Sequence, residues 1–132
     1  MRAHFFGLFL LGACTPTPEL SSGEYHVPEA VDGVGGARIR LDSTERQIVM
    51  LGGCSGHYVD YRLEGPRLDV VEEAVTTEGC FSGGPYADDV NSRLGELLNR
   101  QPRVVPTDRG FDLILTDGAR VSFVQASKNA QN

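Results

Sequence analysis

Cys54, His57, Asp60 and Cys80 are the residues whose types and spacing are suited to chemistry. A thiol, an imidazole and a carboxylate at three-residue intervals have the composition of a nucleophile, a base and an orienting acid. The chain from His57 reads as a strand, however, so His57 and Asp60 project to opposite faces. In an oxidising compartment Cys54 and Cys80 would instead join across a hairpin, removing the nucleophile. Closing that loop stabilises a chain by about 3.5 kcal/mol in the chain-entropy account. His26, His57 and the cysteines lack the paired short spacing of a metal site, and no loop carries the alternating oxygens of a calcium site. Glu72, Glu73, Asp88, Asp89 and Glu96 read as solvated acids and helix-end charge. Gly33-Val34-Gly35-Gly36 lacks the strand-then-helix setting of a dinucleotide loop and reads as a joint. The expectation is therefore no catalytic residue, no metal and no cofactor.

The compartment is legible at the start of the chain. Met1-Arg2-Ala3-His4 is followed by the apolar run Phe5 to Leu11, then by Gly12-Ala13-Cys14. A basic start, a short apolar run and small residues have the pattern of an export signal, too short to span a bilayer. Leu11-Gly12-Ala13-Cys14 resembles the bacterial lipobox, which implies cleavage before Cys14 and diacylglycerol on its sulfur. Each buried methylene of such an anchor adds about 0.8 kcal/mol. Thr15 rather than Asp follows the cysteine. By resemblance to Gram-negative lipoproteins, that implies the periplasmic face of the outer membrane.

Composition narrows the partners. The 132-residue chain carries a net charge of −6 and no tryptophan, which disfavours nucleic acid. Loss of Arg2 with the leader makes the mature chain more acidic still, so it should stand off anionic lipid heads. With 16 glycines and 7 prolines, short strands and tight turns fit better than a helical bundle.

One domain is expected, divided as follows: 1–13 signal peptide, 14–36 lipidated cysteine and flexible tether rich in Pro, Ser, Glu and Gly, 37–126 folded body, 127–132 frayed tail. Arg38 to Asp42 alternates as a half-buried strand, and Arg46 to Leu51 carries a continuous apolar run. Val59, Tyr61 and Leu63 share an inner face opposite Tyr58, Asp60, Arg62 and Glu64. A change of phase at Val70-Val71 predicts a β-bulge. Asp88 is the expected N-cap of a helix to about Asn99, with Val90, Leu94, Leu97 and Leu98 on one stripe. Gly95 within it costs roughly 1 kcal/mol against Ala, and Pro102 ends it. Asp117-Gly118 predicts a two-residue hairpin turn joining Phe111 to Thr116 with Ala119 to Val124. The fold class is α+β, mainly antiparallel, a sheet curling toward a partial barrel with one helix plugging it.

Gly53-Cys54 with Gly56 and Tyr58, Thr76 with Cys80, and the closing pair Phe111 to Leu115 and Val121 to Phe123 together resemble the META domain. This family of exported bacterial proteins was first noticed among heat-shock-inducible and motility-associated products. The resemblance covers about Ala37 to Gln125 and rests on order and spacing. It departs at Ser55, where the family has Asn, at Glu78-Gly79, where it has Met-Ala, and at Asp88-Asp89, where a helix-opening Glu is usual. The resemblance implies a lipocalin-like fold and no settled activity.

The functional expectation is a non-enzymatic envelope lipoprotein with a binding or interaction module in an envelope-stress setting. Its partners would be the membrane, through lipid, and an envelope protein or a small apolar ligand. Tyr58, Phe81, Gly83, Gly84 and Tyr86, near the cysteines, are the candidate interaction surface. Alternatives are an inhibitor presenting the loop Phe81 to Tyr86, a carrier of an apolar ligand inside the barrel, and a thiol-dependent enzyme. The mature protein, unfolded in denaturant without reductant, should show no free thiol on thiol titration; two reactive thiols per chain would refute the disulfide, and three the lipid as well.

Overall fold

A computed structural model describes residues 17–28, 33–77, 79–80 and 84–126. The expected signal peptide, Cys14 and the expected frayed tail 127–132 lie outside the described residues. Eight strands run in chain order: β1 (Gly23–His26), β2 (Arg38–Asp42), β3 (Gln47–Met50), β4 (Ser55–Glu64), β5 (Arg67–Thr77), β6 (Arg103–Pro106), β7 (Gly110–Ile114) and β8 (Arg120–Gln125). One helix, α1 (Gly84–Leu98), stands between β5 and β6. Every neighbouring pair is antiparallel, and β8 returns to β1, so the sheet closes on itself as a barrel-like ring.

The alternation in β2 and β4 determines the register. Ile39, Leu41, Val59 and Tyr61 are buried while Arg38, Arg40, Asp42 and Arg62 are exposed. The expected bulge is present. Asp60 faces Glu72 and Tyr61 faces Val70, leaving Val71 as the extra residue.

Three expectations need correction. The sequence predicts a flexible tether through residue 36, yet Gly23–His26 is a strand that pairs with both β2 and β8. Tyr25, Val27 and Val34 are buried in the core and Leu20 packs against it. A four-residue strand with a single inward side chain offers no periodicity, so its Ser, Glu and Gly composition dominates the reading. Tyr25 ties this segment down, its hydroxyl donating to Ser21 O at 2.6 Å and its ring lying edge-on to Phe111 at 5.0 Å. The helix begins at Gly84, so Asp88 lies inside it and is not its N-cap. The last hairpin has a three-residue loop instead of a two-residue turn. Leu115 N–H bonds Ala119 O and Gly118 N–H bonds Leu115 O, with Gly118 at φ 91°. That is a turn followed by a left-handed glycine, the usual three-residue solution.

The interior is filled. Val90, Leu94, Leu97 and Leu98, the predicted stripe, are all buried. With Leu20 and barrel residues such as Ile39, Leu68, Phe111 and Phe123, Leu94 and Leu98 line a remnant of about 10 Å³. That is no more than one water-sized space. The helix ends where Gln101 turns left-handed at φ 57° before Pro102. Leu94→Ala should lower stability by about 2–5 kcal/mol. In urea unfolding the midpoint should fall with little change in slope; an unaltered midpoint would show that the leucine does not fill the barrel.

Candidate functional site

The helix holds the Gly52–Ser55 turn from both sides of its backbone. Asp88, one turn into α1, accepts from the N–H of Cys54 at 2.8 Å and of Ser55 at 3.1 Å with a single carboxylate oxygen. Asn91, buried one turn on, directs its side-chain amide to the carbonyls of Leu51 and Gly52 at 3.4 and 3.5 Å. Gly53 sits at φ 90°, and a Cβ there would run into the Asp88 carboxylate. Only glycine therefore lets the turn close on that acid. Cys54 is disulfide-bonded to Cys80, across a sequence separation of 26. One end of the barrel is thus fastened by a covalent bond and by a carboxylate and an amide from the helix.

A second cluster lies beside it. His57, 5% exposed, meets Glu73 with Nε2 to Oε2 at 2.6 Å. Asn99 donates to the other oxygen of Glu73 at 3.1 Å. Gly95 makes this approach possible: a Cβ there would stand 2.6 Å from Glu73 Oε2 and 3.1 Å from the His57 ring. Glu73, read from sequence as solvated, is the acid that binds strand β4 to the helix. The isolated glycine in a helical pattern was the signal, since it often marks close backbone approach.

Chemically, the His57–Glu73 pair has a base and an orienting acid. No Ser, Thr or Cys side chain among the described residues is hydrogen-bonded to His57. Asp60 bonds Gln47 on the outer face instead, at 3.2 Å. Among the described residues, no three acid, histidine or cysteine side chains form a group able to hold a metal. Elsewhere on the outer face, the Arg67 hydrogen bond holds the Asp69 carboxyl below the usual carboxylate range.

The predicted interaction surface is placed in part. Phe81 and Gly83 lie outside the described residues. Gly84 opens α1, and Tyr86 on its first turn is 71% exposed. Tyr86 lines a shallow dent of about 240 Å³ with Gly36, Ala37, Leu51, Gly52 and Val90. Tyr58 does not line that dent; it is half-buried on β4, between Val49 and Ala74. A larger open cleft of about 530 Å³, which the sequence did not single out, includes Arg109, Asp112, Arg120 and Ser122 on the far wall. In it Arg120 donates to Asp112 at 2.7 Å.

No protein-family model matches the chain, and no curated protein matches it. Two solved structures share its fold. An NMR structure of one protein has a TM-score of 0.58 at 15% identity, covering 80% of this chain and 91% of its own. An NMR structure of a protein from Burkholderia xenovorans has a TM-score of 0.54 at 16% identity, covering 83% and 85%. The likeness is one of architecture.

Asp88→Ala leaves two turn amides without their acceptor and should cost about 1–3 kcal/mol. Asp89→Ala removes only an exposed pair to Arg93 at 3.7 Å, and should change stability by about 0.5 kcal/mol or less. Parallel thermal unfolding of the two variants distinguishes them; equal shifts would remove the clasp.

Proposed function

We propose that this chain is a non-enzymatic lipoprotein of the bacterial envelope, a META-like, lipocalin-type barrel that presents its disulfide-fastened end to a partner. The observation that carries the reading is the Cys54–Cys80 disulfide. Such bonds persist in oxidising compartments, so it points to export independently of the lipobox at Leu11 to Cys14.

The placement of the N-terminal segment supports the orientation. Leu20 shares a surface with Ser43, Arg46 and Leu63 at the β2–β3 turn. The Gly52–Ser55 turn, the disulfide and Tyr86 lie at the opposite end of β3. From Cys14 to Leu20 the chain reaches about 20 Å at full extension. A lipid on Cys14 would therefore hold the Leu20 end toward the bilayer and leave Tyr86 facing away. The tether is shorter than its composition implies, so an acidic body is held close to the lipid heads.

Occupancy of the barrel separates the binding alternatives. An interior remnant of about 10 Å³ has no room for an apolar ligand, whose pocket takes hundreds of cubic ångströms. A surface module fits better than a carrier. The His57–Glu73 pair, with no hydroxyl or thiol bonded to it among the described residues, reads as a fastening of the helix and lends the thiol-enzyme reading no support.

Cells fed a clickable palmitate analogue should label the full-length chain and not Cys14→Ser. A photo-crosslinking residue in place of Tyr86 should give an envelope-protein adduct that the same residue at Asp117 does not. Labelling retained without the cysteine, or equal adducts at both positions, would refute the reading.

A further inference from the structure

Strand β5 extends well past the strand that closes the ring. β6 pairs with it at Arg67, flanked by the bonds Leu68 N–H to Pro102 O and Val104 N–H to Pro66 O. β4, in contrast, accompanies it to Thr77. Residues 71–77 are all exposed. Among the described residues, no strand pairs with the outer edge of β5 beyond its first turn of closure. Alternate residues of such an edge turn their N–H and C=O groups away from the sheet. Residues 72–77 thus offer about three donors and three acceptors over about 20 Å. Proteins usually block an exposed edge of this length.

The side chains around the edge state what it would accept. Val71 and Val75 are each 61% exposed. Val75 shares an open cleft of about 550 Å³ with His57, Glu73, Ser92, Glu96 and Asn99. That lining has two carboxylates and no lysine or arginine. Glu73 is already engaged by His57 and Asn99. Glu96 and, on the other face, Glu72 are unpaired among the described residues. A second copy of this chain would bring its own Glu72, Glu73 and Glu96 into the same seam, which like-charge repulsion disfavours. An extended segment that alternates basic and apolar side chains would meet an acid in either facing, Glu72 on one side or Glu96 on the other.

We propose that the free edge of β5 accepts an extended basic segment of a partner protein as an added strand, with main-chain bonds to residues 72–77 and lysine or arginine against Glu72 or Glu96. Main-chain pairing supplies affinity in this mode, and the flanking charges and apolar positions select the sequence. The surface is separate from Tyr86, and its test depends neither on the lipid nor on a partner at that end.

The probe is a short fluorescent peptide of alternating lysine and valine, titrated into the full-length chain at physiological salt and followed also by amide exchange. Saturable binding is expected, with exchange at residues 72–77 slowed about tenfold or more. A peptide of equal charge interrupted by proline should bind about tenfold more weakly, because proline removes a ladder donor. Glu72→Lys should weaken the unbroken peptide about threefold or more, the scale of exposed charge pairs. Absent saturable binding, protection confined to another surface, equal binding of the proline peptide, or the same edge already protected by self-association would each overturn the proposal. The proline comparison uses the unaltered chain, so it decides even if Glu72→Lys folds poorly.

Discussion

An eight-stranded antiparallel ring encloses a volume that must be filled, and here a single helix supplies much of the filling. Side chains from the strands alone suffice when they are large and evenly spaced. In this chain β1 contributes Tyr25 and β3 contributes Ile48 and Met50 to the core, a thin supply from two of eight walls. The stripe Val90, Leu94, Leu97 and Leu98 makes up the difference. The requirement that α1 enter from one end fixes the rest: what must bend aside for it, what must bind it, and where the ring can close.

Binding the helix uses polar groups placed where apolar ones cannot go. Asp88 meets two turn amides that the tight Gly52-Gly53 geometry leaves without strand partners. Glu73 bridges from the sheet to His57 and Asn99. Both contacts depend on glycine for distance: Gly53 under Asp88, and Gly95 under the His57–Glu73 pair. A glycine that weakens an isolated helix by about 1 kcal/mol here admits a short charge-assisted hydrogen bond of comparable or larger worth. The disulfide then secures the same turn to the segment leading into the helix, so covalent and polar restraints converge on one end.

What the sequence discloses follows from which interactions leave a periodic trace. The register of β2 and β4, the Val71 bulge and the leucine stripe of the helix were all legible, because burial on one face imposes spacing on neighbours in the chain. β1 was not, since four residues with one inward tyrosine carry no repeat, and one of its two partners, β8, lies at the other end of the chain. The polar clasp was legible only as oddities. Asp88 resembled a cap because an acid before an apolar stripe usually is one, and nothing local revealed that the helix starts a turn earlier at Gly84. Asn91 gave no sign at all, its role being set by carbonyls forty residues away. Cys54 and Cys80 were paired from context, and the structure joins them. The expected envelope address is read from Leu11 to Cys14, outside the described residues.

The open edge of β5 follows from the way the barrel is plugged. A helix that enters the ring between β5 and β6 in sequence must also leave it, and the chain does so through Gln101 and Pro102 directly into β6. β6 therefore starts opposite Arg67, at the first residue of β5, with no chain left to climb the remaining length of that strand. The inward side of the upper half of β5 faces Ser92 and Glu96 of α1 and Asn99 just past its end, which supply side chains but no backbone ladder. Helices cannot satisfy the outward N–H and C=O groups of a strand, because their own are spent internally. Solvent can satisfy them instead at no great cost, and the charge of Glu72 and the bulge at Val71 are features that disfavour edge-to-edge pairing. The same insertion that leaves the interior without room for a ligand thus leaves a length of β5 that no strand among the described residues pairs with.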